Sequence, residues 1–201
     1  MLRLLTSVVL PGCLVLGVTA LAQETVPARL RGTIAAVSDQ VLTITDKAGA
    51  TQTISLKPGL AVVDIVPAKL ADIKPNSFVG VTAMPRPDGA LDAVEVHIFP
   101  EAMRGTGEGH RPWDLGANST MTNGTVGSVT GTAGRTIAVK YGSEDKTIVV
   151  PETAAIVSFE PGTASDLVKG AHVFVLAQKT PDGALTASRV NVGKDGLVPP
   201  M

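Results

Sequence analysis

Pro87-Asp88-Gly89-Ala90-Leu91 and Pro181-Asp182-Gly183-Ala184-Leu185 are the same five residues, ninety-four positions apart. The correspondence continues upstream at the same offset. Asp72-Ile73 answers Asp166-Leu167, Pro67 answers Pro161, Val62-Val63 answers Ile156-Val157, and Thr53-Ile54 answers Thr147-Ile148. Nearer the start of each copy the offset becomes ninety-two, so that Gly32-Thr33-Ile34 faces Gly124-Thr125-Val126. The two-residue difference falls in a turn near Gln40 and Ala133-Gly134, where added length costs little. An internal duplication accounts for this pattern, with one copy over residues 29–99 and the other over 123–192.

Each copy reads as short strands separated by turn signals, the pattern of a small barrel or sandwich. In the first copy, segments 30–37, 41–45, 51–56, 60–65, 77–83 and 90–99 are rich in Val, Ile, Leu and Thr. Asp46-Lys47-Ala48-Gly49 supplies one hairpin turn and Pro87-Asp88-Gly89 another. Proline presets φ, aspartate bonds nearby backbone, and glycine accepts positive φ. Pro67 and Pro75 bracket a short segment that reads as a helical turn. The predicted architecture is all-β: two tandem small OB-like β-barrels, each with one short helical turn. In the last strand, Val94, Val96 and Ile98 alternate with Glu95 and His97, which places the valines inward and Glu95 and His97 on a solvated face.

Residues 1–22 read as a signal peptide: Arg3 gives a basic start, an apolar run follows, and Ala20-Leu21-Ala22 is a cleavage signal. Cleavage after Ala22 implies an exported protein with no membrane span in its mature form. Cys13 is the only cysteine and lies in that leader, so the mature chain has no thiol for disulfides, metals or catalysis. Without Arg3 the balance is 16 basic against 18 acidic residues. No clustered basic face is present, which points away from nucleic acid as a partner.

The copies do not share residues 100–122. This insert holds Arg104, Glu108, His110, Arg111, the sole tryptophan Trp113, and Asp114. A plain linker would be rich in glycine, serine or proline and would not carry a large aromatic. The insert is therefore the candidate ligand or partner site, with Trp113 packed into the cleft between barrels. Its glycines, Gly105, Gly107 and Gly109, do not make a dinucleotide loop, because no strand-to-helix crossover surrounds them. A divalent metal held by Glu95, His97 and His110 with nearby carboxylates is the alternative, since imidazole and carboxylate suit such ions. No cofactor motif is present otherwise. No nucleophile elbow or matched base is evident, so the chain reads as a non-enzymatic module with a protein or small-molecule partner. His172 takes the position of Phe78 in the other copy and reads as a barrel-wall histidine bonded to a backbone carbonyl. The sequons at Asn118 and Asn123 fall where surface loops are expected. The tail, residues 193–201, follows the second copy.

At Gly32-Thr33-Ile34, Asp72-Ile73-Lys74-Pro75, the run Arg104 to Asp114 and the tail, the chain resembles a family of exported bacterial proteins. These carry a small OB-like domain of unknown function and are sometimes labelled metal ABC transporter permeases. The resemblance implies a periplasmic location and a two-barrel fold. It does not imply a permease: beyond residue 22 no stretch approaches the ~20 apolar residues a membrane helix needs.

Overall fold

The computed structural model describes residues 25–201, and segment 1–22, read from the sequence as a signal peptide, lies outside them. In chain order the strands are β1 (Val26–Ser38), β2 (Val41–Thr45), β3 (Thr51–Pro67), β4 (Phe78–Pro85), β5 (Leu91–Phe99) and β6 (Gly109–Pro112). They continue as β7 (Thr120–Thr130), β8 (Thr136–Tyr141), β9 (Glu144–Val149), β10 (Ala155–Pro161), β11 (His172–Lys179) and β12 (Leu185–Gly193). The fold is all-β. Among the described residues, helical structure is limited to three-residue 3-10 turns, including Leu70–Asp72 and Ala164–Asp166. No described helix is long and apolar enough to cross a membrane.

The turn chemistry behaves as the sequence predicts. Gly89 and Gly183 adopt φ of +84° and +90°, a region where a side chain would be strained. Asp72 accepts from the Lys69 N–H at 2.8 Å, and Asp166 accepts from the Thr163 N–H at 2.7 Å, so each closes the first turn of its 3-10 segment. Residues 51–65, expected as two strands, form the single strand β3. Pro58 and Gly59 sit where β3 leaves its partner: Leu56 pairs with Ala187, and pairing resumes only at Ala61 with Arg189. A proline has no N–H to give a ladder, so it is tolerated at such a break.

Five strands close a barrel. β1 pairs with β2 and β2 with β3, both antiparallel. β3 runs parallel to β12, β12 is antiparallel to β11, and β11 returns antiparallel to β1. Its interior packs Leu30, Ile34, Leu42, Ile44, Ile54, Val175, Val190 and Val192. Each such side chain contributes about 1.5–3 kcal/mol when fully removed from water. The remaining strands pair around a second core of Val79, Val81, Val96, Val126, Ile137, Val139 and Ile148. There β4 pairs with β5 and β7, β7 with β8, and β8 with β9. β9 meets β5 in parallel at Leu91↔Ile148 and Asp92↔Val149. β10 joins the two sets, antiparallel to β3 and parallel to β5.

These pairings cross the boundaries expected from the sequence. The closed barrel takes β1, β2 and β3 from the first half of the chain and β11 and β12 from its end. No pairing joins β1, β2 or β3 to β4 or β5. The physical reason is that burial patterning fixes which face of a strand is inward, whereas the choice of edge partner is a long-range matter.

A third cluster lies outside both cores: Val63, Ile65, Val157, Phe159, Phe174 and Met201, with Phe99, Met103, Trp113 and Leu197 packed on it. It gathers the insert and the tail onto the outer surface of the strands.

Candidate binding site

The outer surface of β4, β5 and β7 holds a buried polar group. Glu95 and His97 are 0% and 2% exposed, so they do not form the solvated face that alternation predicts. They do face outward, on the side of β5 opposite Val96, but the third cluster, with Phe159 and Met103, covers that side. The β4–β5 register shifts at a β-bulge between Thr82↔Glu95 and Ala83↔Ala93, leaving Val94 as an unpaired extra residue. Val94 is accordingly 43% exposed, and the alternation restarts beyond it. Thr82 Oγ1 donates to Glu95 Oε1 at 2.7 Å. His97 Nε2 approaches the same oxygen to 3.2 Å but off the hydrogen-bond line. The His97 ring meets Phe159 edge-on, with centroids 5.6 Å apart. Asn123, expected in a surface loop, is buried on β7 and donates to the Thr106 carbonyl at 2.9 Å.

The insert residues are dispersed among separate tasks. Arg104 pairs with Glu101 and donates to the Asn76 carbonyl at 2.8 Å. Glu108 accepts the Gly142 N–H at 2.9 Å. His110 Nδ1 lies 2.8 Å from Thr122 Oγ1, and its ring stacks on Tyr141. Burial, and then the charge of Lys146, lower its pKa below the ordinary imidazole value. The three residues considered for a metal, Glu95, His97 and His110, do not converge. Among the described residues no group of three or more His, Cys, Asp or Glu stands together to hold an ion.

Arg111, Trp113 and Asp114 do come together, and they do so with β1. Arg29 lies over the Trp113 ring, its Cζ 4.0 Å from the centroid, while the Arg111 Cζ is 5.9 Å away. Arg111 donates to the Gly107 carbonyl at 2.7 Å. Arg31 grips Asp114 with two nitrogens, at 2.8 and 3.1 Å, and also donates to the main-chain oxygen of Met201. The Arg31 guanidinium holds the Asp114 carboxyl below the usual carboxylate range. One arginine thus ties barrel, insert and tail together. Bidentate geometry of this kind is specific to arginine.

Beside that tie opens a recess of about 670 Å³, lined by Arg29, Arg31, Thr33, Gln52, Asp114, Leu115, His172 and Val198, among others. His172 Nδ1 lies 3.1 Å from Thr33 Oγ1, a hydroxyl rather than the expected carbonyl. Arg29 and Arg31 were not among the candidate site residues of the sequence, and His172 was read there only as a barrel-wall residue. The signal was present in the offset: Arg29 and Arg31 answer Met121 and Asn123, so cations stand on one copy only. Comparisons with protein-family models, with curated proteins and with solved structures give no match for the chain.

Proposed function

We propose that the protein is a non-enzymatic binding module, exported to the periplasm, that takes a small ligand or a partner segment in the recess beside Arg31 and Trp113. The observation that supports it most is the convergence of β1, the insert and the tail on one recess of about 670 Å³. That volume falls within the ~300–1,000 Å³ range of small-molecule sites. Polar groups of fixed orientation line it beside exposed apolar side chains, Leu115 at 37% and Val198 at 63%. The export reading rests on the leader sequence, residues 1–22.

The scaffold reading accompanies it: two OB-like barrels descended from one duplicated unit, with their last two strands exchanged. Support comes from pairings that repeat at the sequence offset. Val62↔Val190 in β3–β12 answers Ile156↔Val96 in β10–β5, and Ser55↔Thr186 answers Val149↔Asp92. The bulge at Val94 is answered at Ser188, where the β3–β12 register also shifts. The insert begins like the tail, with a 3-10 turn at Glu101–Met103 answering one at Lys194–Gly196.

A fragment screen by amide chemical-shift mapping tests the binding reading. Hits should perturb Arg31, Thr33, Asp114 and His172 together. A library whose hits all cluster elsewhere, or that finds no site, contradicts it.

A further inference from the structure

We infer that the recess selects small organic anions with an apolar portion, and that Arg29 takes the ligand's carboxylate. This deepens the binding-module reading and rests on it. Three observations converge.

The first is an unspent cation. Among the described residues Arg29 has no ion pair, and its Nε is buried without a hydrogen-bond acceptor. A buried donor left unpaired is costly, and a guanidinium presents five donors in a fork that matches a carboxylate. The neighbouring charges are already engaged: Asp114 is held by Arg31, and Asp46 accepts the Ala48 and Ala50 N–H groups of its own turn. Arg111 is pushed below its ordinary value, first by burial and then by the charge of Arg29. An anion at Arg29 would relieve both strains.

The second is preorganisation. Arg29 stands on β1 opposite Leu176 of β11, and the Trp113 ring fixes its guanidinium at 4.0 Å. Part of the ordering cost of binding is therefore met before the ligand arrives.

The third is the shape of the partner groups. His172 Nδ1 is occupied by Thr33, and its Nε2 has no partner among the described residues, which leaves a second polar anchor on the wall. Leu115 and Val198 line the recess while exposed, which suits an apolar tail. The answering position on the other face is Met121, 4% exposed, where no such cation exists.

The test uses the mature chain and the emission of its sole tryptophan, with octanoate as probe and octanamide as its neutral counterpart. Octanoate should change Trp113 emission saturably, and octanamide should bind at least roughly tenfold more weakly, as expected when one charge-assisted contact is lost. Arg29→Gln should reduce octanoate affinity by a similar factor while leaving octanamide unchanged. Arg29→Lys, which keeps the charge without the fork, should fall between them. Equal binding of the two probes, or octanoate affinity untouched in both variants, overturns the inference and leaves the module reading intact. A fragment set that finds the recess while octanoate does not has the same meaning. If neither fragments nor probes reach the recess, both readings fail.

Discussion

Two outer faces of this molecule share a backbone plan and differ in chemistry. On one, Gly80 pairs with His97 and with Asn123; on the other, Phe174 pairs with Asn191 and with Arg31. The first face buries an acid and an imidazole, Glu95 and His97, under the insert side of the molecule. The second presents arginines, Arg29 and Arg31, beside an open recess. Glu95 and His97 are answered by Arg189, half-buried, and Asn191, which donates to the Phe174 carbonyl at 3.0 Å. Glu95 Oε2 and His97 Nε2, like Arg29 Nε, have no hydrogen-bond partner among the described residues, but the first two are shut away from solvent whereas Arg29 lines a recess. On the proposed reading, the first face serves stability and the second binding.

The largest effect that can break this assignment is at Glu95. Glu95→Ala takes away the acceptor of the buried Thr82 hydroxyl and should cost about 1–3 kcal/mol in urea unfolding. Arg189→Ala, at the half-buried answering position, should cost under ~1 kcal/mol because it strands no buried hydroxyl. Equal losses would remove the contrast between the faces.

A smaller effect sharpens how the tail is held. Lys194 joins Asp64 at 2.8 Å and Asp166 at 2.9 Å. The insert side lacks this clasp, since Pro100 and Ser158 answer Lys194 and Asp64. The Lys194 ammonium and the Thr163 groups pull the Asp166 carboxyl down to about 2. A folded-state pKa below the unfolded value means stability that is present above about pH 4 and lost as pH falls through about 2. Asp166→Asn should flatten the acid limb of thermal stability in that window. An unchanged acid limb would mean that the clasp contributes nothing.

Much of the local structure was legible. β2 spans residues 41–45, as its β-branched run and the Asp46 turn require, and the two Pro-Asp-Gly turns close their hairpins. Trp113, expected to pack rather than dangle, lies against the cluster of Val63, Ile65, Val157, Phe159, Phe174 and Met201. The misreadings have specific causes. Period-two counting puts Glu95 and His97 in solvent because it gives the face of a strand and not what covers that face. Barrel membership was misplaced because hydrophobic pattern is blind to edge partners. Arg29 was passed over because its importance lies in what it lacks, an acceptor, and only side-chain geometry reveals that.

The most direct test of the account separates the two halves. A protease site placed between Arg104 and Glu108 would divide the chain after β5. If strands are exchanged, the cut halves will co-elute as one particle, and the fragment 25–104 alone will not give a folded monomer, because β1 and β3 close on β11 and β12, and β4 and β5 on β7 and β9, all in the other half. A folded, monomeric 25–104 with a dispersed amide spectrum would contradict the account at its root.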